Sequence, residues 1–300
     1  MQISPYVKVI GNKLYNFYLV GSRELLLAEC GTLAGALYFI EEWEKLSSQP
    51  EIKYILVMHS HFDHVGGLPL LKYYFPEAKV LASQEAAEIL GRENVVQGIK
   101  ATNEKVLDIY REKGLLTDSS RISALKQYDF KIDKVLQDGE ILEVDGLQVE
   151  IITSPGHSPC SLSAYIPEDK VMLVSDALGY KTPEGLMSPV FFHDYDLYLQ
   201  TINRLAGYAT DIIGVGHGEI IKGREDVEKF YQKAFKAAED AFTFIAAKLA
   251  EGVEEDVIAG KLYDKYMQGA LALYPREVMV SSMYALIKRV KTKSSNRNSF

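Results

Sequence analysis

Three of the chain's six histidines fall within six consecutive residues, His59-Ser60-His61-Phe62-Asp63-His64, directly after the apolar stretch Tyr54-Ile55-Leu56-Val57-Met58. A short apolar run rich in β-branched and aromatic residues reads as a core strand. Such a strand delivers its last side chains to a sheet edge, where His59 and His61, two apart, project the same way. A sharp turn then lets Asp63 and His64 close on the same point or on a second one beside it. Three imidazoles and a carboxylate suit zinc or iron, and the lack of thiolates points to catalysis rather than to a closed structural site. The competing reading is a polar strand-to-loop junction. Burying so many neutralisable groups together is costly without a metal.

The strand-then-histidine arrangement recurs. His157 lies in Thr153-Ser154-Pro155-Gly156-His157-Ser158, after the strand-like Leu147 to Ile152, and His217 lies in Gly214-Val215-Gly216-His217-Gly218, after Asp211-Ile212-Ile213. Between them Val171-Met172-Leu173-Val174 ends in Ser175-Asp176-Ala177. Five histidines and two aspartates thus sit at the ends of four expected strands. His193, the sixth histidine, falls outside this set and reads as a surface or supporting group.

This order of motifs resembles the metallo-β-lactamase superfamily: HxHxDH, a distant His in a Pro-Gly-His turn, an Asp after a strand, then a late Gly-His-Gly. The resemblance covers about residues 10 to 222. It implies an α/β fold, the αββα four-layer sandwich, here with a C-terminal helical extension. It also implies two divalent metal ions, one held by His59, His61 and His157 and the other by Asp63, His64 and His217, with Asp176 bridging. Zinc and iron fit these ligands, and manganese is compatible. Two cations sharing a bridge lower the pKa of a bridging water and polarise a carbonyl or phosphoryl oxygen, so the implied reaction class is hydrolysis without a protein nucleophile. Asp63 and Asp176 would keep the attacking hydroxide oriented.

Which bond is cut must come from other residues. Tyr180, in Asp176-Ala177-Leu178-Gly179-Tyr180, could donate a phenolic hydrogen bond to a developing oxyanion; a pocket-lining aromatic is the plainer role. Phe191 and Phe192, in the loop Pro189 to Asp194, are expected to contact an apolar substrate. Three features together look like the PqsE-type thioesterases of the same superfamily: Glu29-Cys30-Gly31 where many members carry Asp-Thr-Gly, the Asp176 stretch with its following loop, and a helical C-terminus bearing Val280-Ser281-Ser282-Met283. That branch acts on an aminobenzoylacetyl-CoA and carries helices over its active site. By this likeness Ser282 faces the pocket, although a helix N-cap is the simpler account. Where that branch has an acidic residue, this chain has Tyr180.

The expected activity is cleavage of a thioester or ester of a small acyl group, such as an acyl-CoA. A lactonase for acyl-homoserine lactones, a glyoxalase II-like thioesterase, a phosphodiesterase and a regulatory binding protein on the same fold are the alternatives. An oxygen-reducing diiron protein is disfavoured, because such relatives replace the second histidine of the cluster with Glu and carry a flavin domain.

Composition bounds the partners. The 300 residues carry a formal net charge of −8, without a basic block beyond the short Lys288 to Lys293 tail. Nucleic acid is therefore not an expected partner. No stretch approaches the length of a membrane helix and the first residues lack a basic region followed by an apolar core, so no membrane is expected and the cytoplasm is the expected location. The two cysteines, Cys30 and Cys160, have no CxxC spacing; Cys30 reads as a core residue and Cys160 as packing beside a ligand.

The elements that must position the site follow from period and punctuation. Strands are expected at Tyr6–Ile10, Leu14–Val20 and Glu24–Glu29, a helix at Ala34–Leu46, a helix at Gly66–Phe75 behind the histidine loop, and a strand at Lys79–Ala82. Residues 84–116 read as an insertion helical throughout. Residues 1–223 are expected to form the catalytic domain. Residues 224–293 then read as three helices, Glu225–Leu249, Glu254–Gly269 and Arg276–Lys288, covering the active site or forming a homodimer surface. Residues 294–300 read as a disordered tail.

Overall fold

The computed structural model describes residues 1–12, 14–116, 120–123, 125 and 128–297. Two six-stranded sheets dominate it. The first runs β1 (Val7–Gly11), β2 (Asn16–Gly21), β3 (Glu24–Ala28), β4 (Glu51–Leu56), β5 (Lys79–Ser83) and β6 (Lys134–Leu136), in that order. β1 to β3 are antiparallel and β3 to β6 parallel. The second sheet is built from β7 (Ile141–Val144), β8 (Leu147–Thr153), β9 (Leu162–Ile166), β10 (Val171–Ser175), β13 (Ile212–Val215) and β14 (Ile221–Lys222). A small hairpin, β11 (Tyr180–Lys181) with β12 (Met187–Ser188), lies beside it.

Period-two alternation explains why the strands stack in layers. In β2, Tyr18 and Val20 point into a core shared with Val149, Ile151, Ala164 and Leu173 of the second sheet, while Phe17 and Leu19 point the other way. β3 repeats this, with Leu26 and Ala28 between the sheets and Leu25 and Leu27 toward the helices. Strands buried on both faces read as continuous apolar runs, which is what the sequence shows. The outer helices are α1 (Leu33–Glu44), α2 (Phe62–Val65), α3 (Leu68–Tyr74), α4 (Gln84–Leu90), α5 (Glu93–Glu112), α6 (Ser120–Ser123), α7 (Tyr195–Ala206), α8 (Arg224–Ala250), α9 (Glu255–Tyr266) and α10 (Arg276–Arg297). The result is the αββα sandwich, with α8 to α10 as a C-terminal addition. Among the described residues no helix is long and apolar enough to cross a membrane.

Several boundaries differ from the sequence reading. The helix expected at Gly66–Phe75 is α3, which starts at Leu68, and a separate short helix, α2, precedes it; at the junction a Cβ on Gly67 would stand 2.2 Å from the Cys30 carbonyl oxygen. The insertion is two helices, broken where the chain turns at Gly91-Arg92. A 3₁₀ turn, Gly269–Leu273, separates α9 from α10. α10 continues to Arg297, past the boundary expected after Lys293, because its polar residues need no core to stay helical once a helix is underway. The rest of the expected tail, residues 298–300, lies outside the described residues.

Four strand ends meet at one edge of the sandwich. The Leu162 amide donates to the Met58 carbonyl at 2.8 Å, tying the second sheet to the exit of β4. Beyond β8 the chain turns through Gly156, with φ +128°, and packs on α7 so closely that a Cβ there would lie 2.3 Å from the Cα of Tyr198. Only glycine meets both conditions. Gly156→Ala is expected to cost about 2–4 kcal/mol in urea unfolding and, by moving His157, to lower bound metal measured on the purified protein.

Candidate metal centre

Each of the four strand ends contributes a donor. His59 and His61 follow β4, His157 follows β8, Asp176 follows β10 and His217 follows β13, while Asp63 and His64 lie on α2. β10 and β13 are parallel, with Ser175 beside Val215, so Asp176 and His217 leave the sheet side by side. Ser175 takes φ +51°, a costly value for a side-chain-bearing residue. That turn swings Asp176 inward.

The donors form three overlapping groups: His59, His61 and His157; His59, His64 and Asp176; Asp63, His64 and His217. In the first, His59 Nε2 lies 3.2 Å from His61 Nδ1 and 3.2 Å from His157 Nε2, and the last two are 2.9 Å apart. Nitrogens about 2.0–2.1 Å from one tetrahedral ion stand roughly 3.3 Å from each other. In the third group His64 Nε2 and His217 Nε2 are 3.0 Å apart, with Asp63 Oδ2 at 3.8 and 3.4 Å from them. Asp176 reaches both sets: its Oδ2 is 3.3 Å from His64 Nε2 and 3.6 Å from His157 Nε2, and its Oδ1 is 3.9 Å from His217 Nε2. The donor set therefore fits metal ions held side by side.

The far side of three of the rings is anchored, which fixes their tautomers. His157 Nδ1 donates to the Val190 carbonyl at 2.9 Å and His217 Nδ1 to the Leu14 carbonyl at 2.6 Å. His64 Nδ1 faces Glu29 Oε2 at 2.9 Å. Glu29 is buried, has φ +77°, and its other oxygen finds no hydrogen-bond partner among the described residues. A carboxylate kept there at such cost orients His64 and adds negative charge behind it. This residue was not singled out for chemistry in the sequence; the Glu29-Cys30-Gly31 departure at a strand end was its signal.

Electrostatics divides the donors into two sets. Burial pushes His59 well below the ordinary imidazole range and His61 down to about 3, so both are neutral. Burial alone would raise Asp63, but His64 and His217 outweigh it and bring the carboxyl to about 2. Asp176 is lowered against burial by the same two histidines. His64 and His217 go up despite burial, chiefly through Asp176. The neutral His59 and His61 and the ionised carboxylates are ready to ligate, whereas His64 and His217, pushed toward their protonated forms, would release protons as a metal binds.

The donors open into a cavity of about 290 Å³. His61, Asp63, His157, Asp176 and His217 form its floor, and Tyr180, Phe192 and Ser282 line it as the sequence reading expected. The Phe192 ring lies 5.3 Å from that of His157, centroid to centroid. Phe191 is a correction. It is fully buried against Tyr195 and Tyr198, because adjacent side chains in the extended loop point to opposite sides. Ser282 sits inside α10, not at its start, so the N-cap account does not hold; its hydroxyl donates to the Val278 carbonyl. Sequence reasoning missed the apolar wall: Phe62 and Val190, then Met267, Leu271, Val278 and Met279 from the C-terminal segment. Such residues carry no spacing that separates them from ordinary core. Cys160 receives a hydrogen bond from the Ser60 amide at 3.4 Å and braces the histidine loop, and burial raises the Cys30 thiol well above its ordinary range.

Known proteins place this geometry. The chain is 30% identical to the hydroxyacylglutathione hydrolase of Haemophilus influenzae over 56% of its own length and 69% of that protein's. It is 25% identical to the atrochrysone carboxyl ACP thioesterase of Aspergillus fumigatus, over 74% and 59% respectively. Other curated relatives are spanned over 62%, 36% and 44% of their length, so the chain covers less than two thirds of those proteins. A metallo-β-lactamase family protein of Thermus thermophilus shares the fold, with a TM-score of 0.64 at 21% identity over 98% of this chain and 95% of that one. The family model described as the metallo-beta-lactamase superfamily matches residues 11–217, the stretch that holds every donor above, and the chain belongs to that superfamily.

Proposed function

We propose that the chain is a metal-dependent hydrolase that cleaves the thioester, or the related ester, of a small acyl group. The observation that carries this reading is a cavity with a floor of metal donors and a wall of apolar side chains from the C-terminal helices. A carbonyl rests on such a floor while a hydrocarbon group lies along such a wall. The names of two relatives, a hydroxyacylglutathione hydrolase and an ACP thioesterase, support the choice of a thioester.

His59, His61 and His157 would hold one divalent ion and Asp63, His64 and His217 a second, with Asp176 reaching both. When bound, the ions supply Lewis acidity and a water acidic enough to attack near neutral pH. Asp63 and Asp176 orient that water by accepting its hydrogen bonds. Tyr180 donates to the carbonyl oxygen as negative charge gathers there. The water gives its protons to solvent as its oxygen bonds to the acyl carbon, the carbon–sulfur bond breaks with its electron pair going to sulfur, and the products are a carboxylate and a thiolate that takes one proton back from solvent. With a thiol pKa of about 8.5, sulfur leaves without a protein acid. Phe192 and the methionines keep bulk water from the reacting carbonyl. A lactone is the second reading, favoured by Tyr180 in the cavity, and ring opening of acyl-homoserine lactones measured beside thiol release separates the two.

Four outcomes test this. Purified protein should hold two divalent ions per chain by elemental analysis and release thiol from acyl-CoA esters, and chelation should abolish the release. Asp176→Asn should lose both turnover and metal; turnover that survives it sinks the mechanism. Tyr180→Phe should lower kcat about 10- to 100-fold with little change in KM. Glu29→Gln should weaken metal affinity about 10- to 100-fold, read by competition with a chromogenic chelator.

A further inference from the structure

The cavity treats the two ends of a thioester differently. No lysine or arginine lines it among the described residues, and the hydroxyls of Ser281 and Ser282 both donate to the Val278 carbonyl, at 2.6 and 3.3 Å. A charged acyl group entering here would lose its hydration with no cation in the wall to replace it. Taking roughly 30 Å³ for a water-sized group, a cavity of about 290 Å³ holds on the order of ten heavy atoms. The acyl group fits inside and a large leaving group does not.

A cation stands beside the cavity, one turn of α10 beyond the residues that line it. Val278, Ser282 and Ala285 share the face of α10 that lines the cavity, and Arg289 lies one turn further along the same face. Its Nε donates at 2.8 Å to the carbonyl of Phe192, whose ring lines the cavity. That bond fixes the plane of the guanidinium. Nearby carboxylates are engaged elsewhere: Asp194 accepts from the Leu197 amide at 2.8 Å to cap α7, and Asp196 pairs with Lys293. His193 is lowered by burial and then by Arg289, so it adds no competing charge. Among the described residues no carboxylate pairs with Arg289, and its two terminal nitrogens form an open planar fork suited to a phosphate.

We infer that Arg289 anchors a phosphate on the leaving-group side of the substrate, so that the site takes an uncharged acyl group joined to a phosphopantetheine thiol, whether in free coenzyme A or on a carrier protein. The inference rests on the thioesterase reading for its reaction and on Arg289 for its ligand. One fork suits one phosphate better than the two separated carboxylates of glutathione.

The test is calorimetric titration of metal-loaded wild-type and Arg289→Gln protein with four unreactive thioethers: S-methyl coenzyme A, S-methyl phosphopantetheine, S-methyl pantetheine and S-methylglutathione. Arg289→Gln should weaken the first two roughly tenfold, the loss of about one charge-assisted hydrogen-bonded contact, and leave the uncharged pantetheine unchanged. Loss with the coenzyme A derivative alone supports the anchor and assigns it to the free coenzyme. Unchanged affinity for both phosphorylated ligands, an equal loss for pantetheine, or a loss confined to glutathione overturns it. Thiol release from acyl-CoA by the wild type is measured separately. Arg289-dependent binding without any such release would keep the phosphate anchor and remove the thioesterase reaction.

Discussion

His64 stands between two carboxylates, and the rest of the site depends on its being held there. One ring nitrogen faces Glu29 and the other faces Asp176 and His217. Two loops fix the position by exchanging backbone bonds: the Cys30 amide donates to the His64 carbonyl and the Gly67 amide to the Gly31 carbonyl. Glycines clear the space around it, since a Cβ on Gly216 would lie 2.7 Å from the His64 ring. The strained backbone of Glu29 is the cost of this arrangement. It persists because neighbouring strands leave the chain no other path.

The double sheet makes so polar a cluster tolerable. Imidazoles and carboxylates far from water would be destabilising if each had to be satisfied alone, yet here the outer atoms of His64, His157, His217 and His59 meet Glu29, a carbonyl or the Ser175 hydroxyl, and their inner atoms face other donors. Strand ends suit this task because the sheet fixes them relative to one another to within the tolerance of a metal ligand. Helices or loops alone would let the donors drift. The same rigidity explains why donors far apart in sequence, such as His59 and His157, converge within 3.2 Å.

How much of this was readable beforehand varied with the physics behind each residue. Metal donors are rare residue types placed where strands end, so His59, His157, Asp176 and His217 stood out without any structure. Phe191 and Phe192 show the opposite case: two adjacent aromatics carry no mark of which one faces the cavity, because that depends on a loop torsion set by packing on Tyr195 and Tyr198. Ser282 read as a cap because serine before an apolar stretch resembles a helix start, yet α10 begins at Arg276, where the sequence pattern itself placed the helix, and Ser282 lies inside it. The break at Gly91 was visible as a glycine but not as a break. Glycine tolerates a helix interior as well as ending one.

Floor and wall are therefore governed by different constraints. The floor requires particular atoms at particular separations, and a one-residue change there removes a donor. The wall, supplied largely by Met267, Leu271, Val278 and Met279, requires only apolar volume. Methionine and leucine substitute for one another in such a surface with small penalties, because dispersion and area burial are not directional. The metal donors are thus a property of the sandwich, and most of the apolar wall a property of the helices laid across it. Since those helices follow residue 223 and the superfamily match ends at residue 217, the family model takes in the floor and leaves most of the wall unmatched. What lies along that wall has to be read from this chain's own cavity.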